Sequence, residues 1–348
     1  MKILDVGFGR KTLFEMYSTT RMSSKWQYGL VELSDKYAIE HISWKQFSLI
    51  GNIYNNLKML KKCDVLFQTY IYAKPFYFLA LLRLLSFFKK RKLIGISHTE
   101  LRTSNTWFGN QMLRFVYYSF DKILFHSQKN IDESVHNKLV KAEKCEFLYW
   151  GEDLDYIDNN INIQQGNFFL STGRECRDFP ILISAFSKIP YLPLQIYTNK
   201  INYGNNYDYL EEEQGLFPNI NIEFVEKSTA TTQYLAQKVG ECLCVVIPLR
   251  KEDINYCLGL TSVVEAMAMG KPIISTRNPY SPVDIEKEGI GFFVDDEQSW
   301  INAINYIYYN PEAAKEMGQK ARKLAEEKFN ISKCAEQIDN IITSLSQS

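Results

Sequence analysis

The 348-residue chain has no CxxC pair, and none of its cysteines is spaced with a histidine as zinc ligands would be. Its seven cysteines (63, 145, 176, 242, 244, 257 and 334) are scattered. That argues against a zinc site or a disulfide framework and for a reducing compartment. No apolar run reaches the ~18–20 residues that a membrane span needs. No secretory leader is expected, because the strand-like segment KILDV (2–6) begins at once. Internal repeats and low-complexity segments are lacking. No Asp-x-Asp motif closes a strand-like run, and no cluster of metal-ligating side chains is evident. The loop GFGRKT (7–12) is not the GxGxxG of a dinucleotide-binding turn, since position 12 is Thr. These absences lead us to expect a cytoplasmic protein with no metal and no cofactor.

What is present is the composition of a globular protein, 46% hydrophobic and 23% charged, with 22 Tyr and 22 Phe. The length exceeds one ordinary core, so two domains are expected. Net charge is zero but unevenly spread. Residues 1–157 carry 23 Lys+Arg against 15 Asp+Glu, or +8; residues 158–348 carry 17 against 25, or −8. Either the two halves attract each other, or the first half faces an anionic lipid or lipid-phosphate. Nucleic acid is not among the expected partners.

In the first half, strand-like runs at 2–6, 63–69, 92–97, 122–127 and 145–150 alternate with amphipathic or apolar stretches. Such alternation predicts a parallel, doubly wound sheet with ligands at the C-terminal strand ends. Gly7, Gly9 and Arg10 follow the first strand, where a glycine-containing loop suits close approach by a ligand. His98 follows the third, placed to donate a hydrogen bond or act as a base, although a lone His is more often structural. Residues 74–92 (KPFYFLALLRLLSFFKKRK) read as a crossover helix ending in four cations, which favour a helix C-terminus. Contact of that basic run with anionic headgroups stays open. A polar linker is expected over 149–165. The second half repeats the pattern, with strands at 167–172, 194–198, 220–225, 242–248, 272–276 and 291–294 and helices at 229–239, 296–308 and 311–328.

The organising stretch is 257–277, CLGLTSVVEAMAMGKPIISTR. Gly259 gives flexibility before a short, almost wholly apolar helix, with Thr261 or Ser262 as its N-cap. Gly270 ends the helix, and a buried strand follows. The lone Glu265 requires donors. An internal pair would supply them; so would the hydroxyls of a sugar or ribose, with a phosphate at the open helix N-terminus. Upstream, GRECRDF (173–179) puts Arg174 and Arg177 just past a strand end, where two guanidinium groups can clamp a diphosphate.

TSVVEAMAMGKPII (261–274) resembles the signature of retaining glycosyltransferases of the GT-B fold, in the large family related to bacterial glycogen synthase and sucrose synthase (glycosyltransferase family 4-like, group 1). The resemblance implies two Rossmann-like α/β domains facing a central cleft. Residues 1–157 would bind the acceptor and 158–330 the nucleotide-sugar donor, with a helix at about 331–348 packing back on the first. It implies donor contacts from Gly173, Arg174, Arg177, Pro248, Gly259, Thr261, Ser262 and Glu265, with Glu265 on the ribose. It further implies base contacts through backbone groups of Val225 and Glu226. Gly7, Gly9, Arg10 and His98 fall on the acceptor side, and His98, Arg174, Arg177 and Glu265 are the candidates for catalysis. The implied reaction moves a sugar from a nucleotide-diphosphate sugar, UDP first, to a saccharide or lipid-linked acceptor. One departure stands out. The family commonly has a second Glu eight residues before the EAMA Glu, and here that position is Cys257, with Glu252 and Asp253 as possible substitutes. The rival readings are a non-catalytic nucleotide-sugar-binding protein and an epimerase of the same fold.

Overall fold

The computed structural model describes the whole chain except residues 8, 21, 44–56, 59–60, 72, 85–89, 203, 227 and 348. It divides into two compact units, Met1–Trp150 with Ile331–Ser348, and Gly151–Asn330.

The first unit runs β1 (Lys2–Gly7), α1 (Arg10–Thr20), β2 (Ala38–Ser43), β3 (Val65–Gln68), α2 (Ala73–Leu84), β4 (Lys92–Ser97), α3 (Trp107–Tyr118), β5 (Lys122–Phe125), α4 (Gln128–His136) and β6 (Cys145–Phe147). The strands form one parallel sheet in the order β2-β1-β3-β4-β5-β6. Its inner strands are apolar along their length because helices cover both faces. Leu4, Val6, Leu66, Leu93, Ile123 and Phe125 join one buried cluster with Val116 and Phe120. The strand order reverses direction between β1 and β3, and such a switch point opens a crevice at the C-terminal strand ends.

The second unit runs α5 (Leu154–Asn160), β7 (Phe169–Thr172), α6 (Phe179–Ser187), β8 (Leu194–Thr198), β9 (Ile201–Asn202), β10 (Asn205–Asn206), α7 (Leu210–Glu213), β11 (Ile220–Phe224), α8 (Thr229–Glu241), β12 (Cys244–Ile247), α9 (Leu260–Ala268), β13 (Ile273–Thr276), β14 (Gly291–Val294), α10 (Glu297–Tyr309) and α11 (Pro311–Glu327). Its main sheet is parallel in the order β11-β8-β7-β12-β13-β14, with β9 and β10 as a separate antiparallel hairpin. Here the switch point falls between β7 and β12. The last helix, α12 (Ile331–Gln347), belongs to the first unit. Gln337 accepts from the Tyr149 amide at 2.8 Å, and Asp339 pairs with Lys36 at 2.6 Å.

Several expectations need correction. The division falls after Trp150 rather than at 157, and residues 154–160 of the expected polar linker form α5. Asp153 caps that helix by accepting from the Tyr156 amide. The edge strand β2 is an addition, as is the β9–β10 hairpin. Along 74–92, the helix is Ala73–Leu84, and 85–89 lie outside the described residues. Arg83 is not solvated but buried against Asp121 at 2.6 Å, and Arg91 pairs with Asp64 at 2.7 Å.

Gly29 marks the closest approach to α12. It has φ +77°, and a Cβ there would lie 2.7 Å from the Ala335 backbone. Gly29→Ala is expected to destabilise the protein by about 1–3 kcal/mol, read as a lowered thermal midpoint. An unchanged midpoint would contradict this packing.

Candidate functional site

The second unit's site grows from the loops that follow β7 and β12. These loops are tied to each other. The Asp178 amide donates to the Pro248 carbonyl at 3.1 Å, the Arg250 amide donates to the Cys176 carbonyl at 3.0 Å, and Arg177 and Leu249 form an antiparallel bridge. The Asn205 side chain joins them, accepting from the Cys176 amide at 3.0 Å and from the Arg250 guanidinium. Cys176 is held at φ +49°, a left-handed conformation that a non-glycine residue adopts at a cost of roughly 1–2 kcal/mol. The ties above offset that cost.

This lacing buries Arg177, which is 4% exposed. Its amide donates to the Tyr207 hydroxyl at 2.9 Å. Its guanidinium donates to the Glu175 carbonyl at 2.9 Å and to Ser262 Oγ at 3.4 Å. Gly173 makes the seat, since a Cβ there would stand 2.3 Å from the guanidinium. No carboxylate forms an ion pair with Arg177 among the described residues, and its Nε has no acceptor. Burial pushes the guanidinium pKa below its ordinary value, yet arginine stays protonated. The result is a buried positive charge with donor capacity unused. The half-buried Arg174 stands two positions past β7.

Ser262 connects this charge to the start of α9. The helix cap is Gly259, at φ +83°, and no side chain caps it. The expected caps, Thr261 and Ser262, instead lie inside the first turn. Ser262 Oγ donates to the Thr172 carbonyl at 3.2 Å and accepts from Arg177. The Thr261 and Ser262 amides have no acceptor among the described residues. An uncapped helix start with open N–H groups beside a buried cation favours anions. Along α9 every residue is buried except Thr261 and Glu265, which are half-buried. Four residues apart, they share the helix face left open.

The remaining expected donor contacts divide. The Val225 amide donates to the Thr198 carbonyl at 2.8 Å, and its carbonyl accepts from Asn199. Its backbone is therefore engaged by the protein. Glu226 is exposed. Pro248 is buried, with its carbonyl used by Asp178. Cys257 is buried, and burial pushes its thiol up to about 12, so it supplies no negative charge. The suggested substitutes do not fill that role as they stand. Asp253 pairs with Arg250 at 2.8 Å, and Glu252 is exposed. A carboxylate that sequence reasoning missed is Glu175, which accepts from the Tyr256 hydroxyl at 2.8 Å. Only the meeting of the β7 and α9 loops brings those two together, so no spacing in the sequence signals it.

In the first unit the expected residues gather near the β1/β3 switch point. Gly7 packs tightly: a Cβ there would lie 2.7 Å from Thr69 Oγ1 and 2.9 Å from Arg10 Cγ. Gly9 lies in the loop before α1. Arg10 is not the open loop cation its position suggested. It is buried, with Nε donating to Asp5 at 2.8 Å and another nitrogen donating to the Trp26 carbonyl. Asp5 also holds His41 Nδ1 at 2.7 Å. One Arg10 nitrogen and one Asp5 oxygen have no partner among the described residues. His98 Nε2 lies 3.1 Å from the Thr69 carbonyl, so in the neutral ring Nε2 carries the proton and Nδ1 is the acceptor. Burial, reinforced by His126, pushes the His98 pKa down to about 3. Its role at neutral pH is that of a neutral acceptor rather than a titrating base. Tyr70 stacks on it at 4.2 Å, and Tyr28 and His126 complete an aromatic wall. His126 is buried with Nε2 unpaired, and burial pushes it down to about 4.

The opposite end of the second unit's sheet carries a cavity of about 560 Å³, lined by Gln164, Cys242, Lys271 and Arg322 among others. None of the expected site residues lines it.

Known proteins resemble this chain as follows. Residues 165–324 match the family described as Glycosyl transferases group 1. Over 93 residues the chain is 37% identical to trehalose synthase of Pyrococcus horikoshii, a stretch covering 27% of this chain and 22% of that protein. The chain thus spans about a fifth of that relative. A glycosyltransferase structure from Rickettsia africae superposes with a TM-score of 0.71 at 16% identity, over 99% of this chain and 98% of that one. The UDP-GlcNAc 2-epimerase of Neisseria meningitidis, bound to UDP-GlcNAc, superposes with a TM-score of 0.53 at 15% identity, over 99% and 100%. At such identities the two structures establish the shared fold.

The neutral imidazoles predict a pH effect. In the unfolded chain His126 titrates near 6.5, whereas in the folded protein it titrates near 4. Between those values the unfolded state binds the extra proton, so this contribution to stability is full above about pH 6.5 and falls as the pH drops. The limiting slope is about 1.4 kcal/mol per pH unit. Urea midpoints of wild type should fall more between pH 7 and 5 than those of His126→Phe. Equal falls would contradict a buried neutral His126.

Proposed function

We propose that this protein, whose residues 165–324 match the Glycosyl transferases group 1 family, is a member of that family and transfers a glycosyl group from a nucleotide-diphosphate sugar to a saccharide or lipid-linked saccharide acceptor. The observation that carries the reading is the buried Arg177, which has no ion-pair partner among the described residues and is joined through Ser262 to the uncapped start of α9. A diphosphate supplies the anion that both features suit. Glu265, on the open face of α9, is then placed to accept the hydroxyls of the attached ribose. The UDP-GlcNAc held by the Neisseria protein of the same fold favours a uridine donor.

The chemistry asks little of a nucleophilic side chain. The bond from the anomeric carbon to the diphosphate oxygen breaks, and a bond to the acceptor oxygen forms as that hydroxyl loses its proton. The barrier lies in charge developing on the departing diphosphate and on an oxocarbenium-like sugar. Preorganised donors aimed at the leaving group lower it without reorganisation. Arg177, Arg174 and the first amides of α9 are those donors in this reading, each charge-assisted bond being worth roughly 1.5–3 kcal/mol. They supply the positive charge from the protein itself, so we expect transfer without a metal. The resemblance of residues 261–274 to the signature of retaining enzymes supports retention of anomeric configuration.

The exposed ring of Tyr70, stacked on His98, suits the apolar face of an acceptor sugar, with His98 Nδ1 as an acceptor for its hydroxyls. An epimerase reading requires carboxylates free for proton transfer. Asp253 is paired with Arg250, Glu175 accepts from Tyr256, and Asp178 caps α6. These engagements favour transfer.

Thermal midpoints measured against UDP-, GDP-, dTDP- and CMP-sugars test the donor site. A ligand at one hundred times its Kd adds about 2.7 kcal/mol. One nucleotide class, UDP first, should raise the midpoint, and Glu265→Ala should shrink the shift. No shift with any nucleotide sugar would overturn the proposal.

A further inference from the structure

We propose that the outward face of α3 docks the protein on an anionic lipid bilayer, with Trp107 and Phe108 as the inserted anchors. Trp107 is 75% exposed and Phe108 69% exposed. They are neighbours at a helix start fixed by its own hydrogen bonds. Thr106 Oγ1 accepts from the Gly109 amide at 3.1 Å, and the Asn110 side chain clamps the Ser104 backbone at 2.7 and 2.9 Å. The two rings therefore project from a rigid turn.

Their setting identifies the partner. Trp107, Gln111, Arg114 and Tyr118 follow one another at helical spacing, so they share a face of α3. No carboxylate lies between Glu100 and Asp121. Across residues 65–120 there are eight Lys and Arg and one carboxylate. Arg83 and Arg91 are neutralised within the fold, but Lys90 and Arg102 are exposed and form no ion pair among the described residues. Helix α2 packs on α3 and presents Leu81, 42% exposed. Exposed aromatic anchors within a stretch, residues 65–120, whose charge is almost wholly cationic match the interfacial zone of an anionic bilayer. There the rings sit at headgroup depth and Lys and Arg meet lipid phosphates. A protein surface covering this face would have to bring most of the negative charge itself.

This inference does not rest on the transfer reading. The test is co-sedimentation of the full chain with phosphatidylcholine vesicles, with and without phosphatidylglycerol, for wild type and W107S/F108S. Both residues are exposed, so the variant should keep the wild-type thermal midpoint and the wild-type response to nucleotide sugars. Wild type should bind the anionic vesicles, less so as salt rises. The double variant should lose partitioning about tenfold or more. No binding of wild type to anionic vesicles, or equal binding by the variant, would overturn the proposal. So would a concentration-dependent dimer that the variant abolishes without any vesicle binding, which would assign the face to a second copy of the chain.

Discussion

A guanidinium taken out of water with no ion-pair partner costs several kcal/mol, and the second unit is built to hold one. Arg177 keeps its position because the loops after β7 and β12 are tied across the switch point of the sheet. Asp178, Cys176 and Asn205 make those ties, and Gly173 leaves the room in which the guanidinium lies. Two hydrogen bonds from a charged donor return about 1.5–3 kcal/mol each. That is comparable with the burial cost, so the charge is tolerated rather than strongly stabilised by the protein. An anion at the same place would use the remaining donor capacity, and the uncapped start of α9 points the same way through Ser262. Fold and proposed chemistry thus meet at one residue, held by the loops on either side of the sheet's switch point.

The first unit solves a different problem. Asp5 neutralises Arg10 within the sheet's end, and His98 and His126 are kept neutral by burial. Around His98 the polar groups are therefore neutral or charge-balanced, next to the exposed ring of Tyr70. Such a surface suits hydroxyl-rich, uncharged groups. Exposed cations that form no ion pair among the described residues, Lys90 and Arg102, lie elsewhere, in the segments that flank β4, and Trp107 and Phe108 are exposed at the start of α3. Recognition by neutral polar groups and attraction by charge occupy separate parts of the same domain.

Much of the fold was legible in the sequence because parallel strands buried on both faces are apolar throughout. KLIGIS (92–97), LQIYT (194–198) and GFFV (291–294) coincide with β4, β8 and β14. β2 escaped because an edge strand is only half-covered, and AIEHIS mixes polar with apolar residues. Helix α5 escaped because its polar composition reads as linker, although Asp153 ahead of Leu154 is a capping signal. At the site, EAMA located α9 and its half-buried Glu265. Spacing could not locate the cap. Gly259 takes the left-handed turn, which pushes Thr261 and Ser262 into the helix. Nor could it show that Arg10 meets Asp5, that the Val225 backbone is engaged, or that Tyr256 reaches Glu175. Those depend on how loops from separate strands meet, which no local pattern records.

In the proposed donor site Arg177 and the start of α9 bind the second phosphate of a nucleoside diphosphate. The direct measurement is calorimetric titration of UDP and UMP into wild type and Arg177→Gln. Wild type should prefer UDP strongly, and the variant should lose about one to two orders of magnitude of that preference while binding UMP as before. A variant that still folds and keeps the full UDP-over-UMP preference would contradict the account.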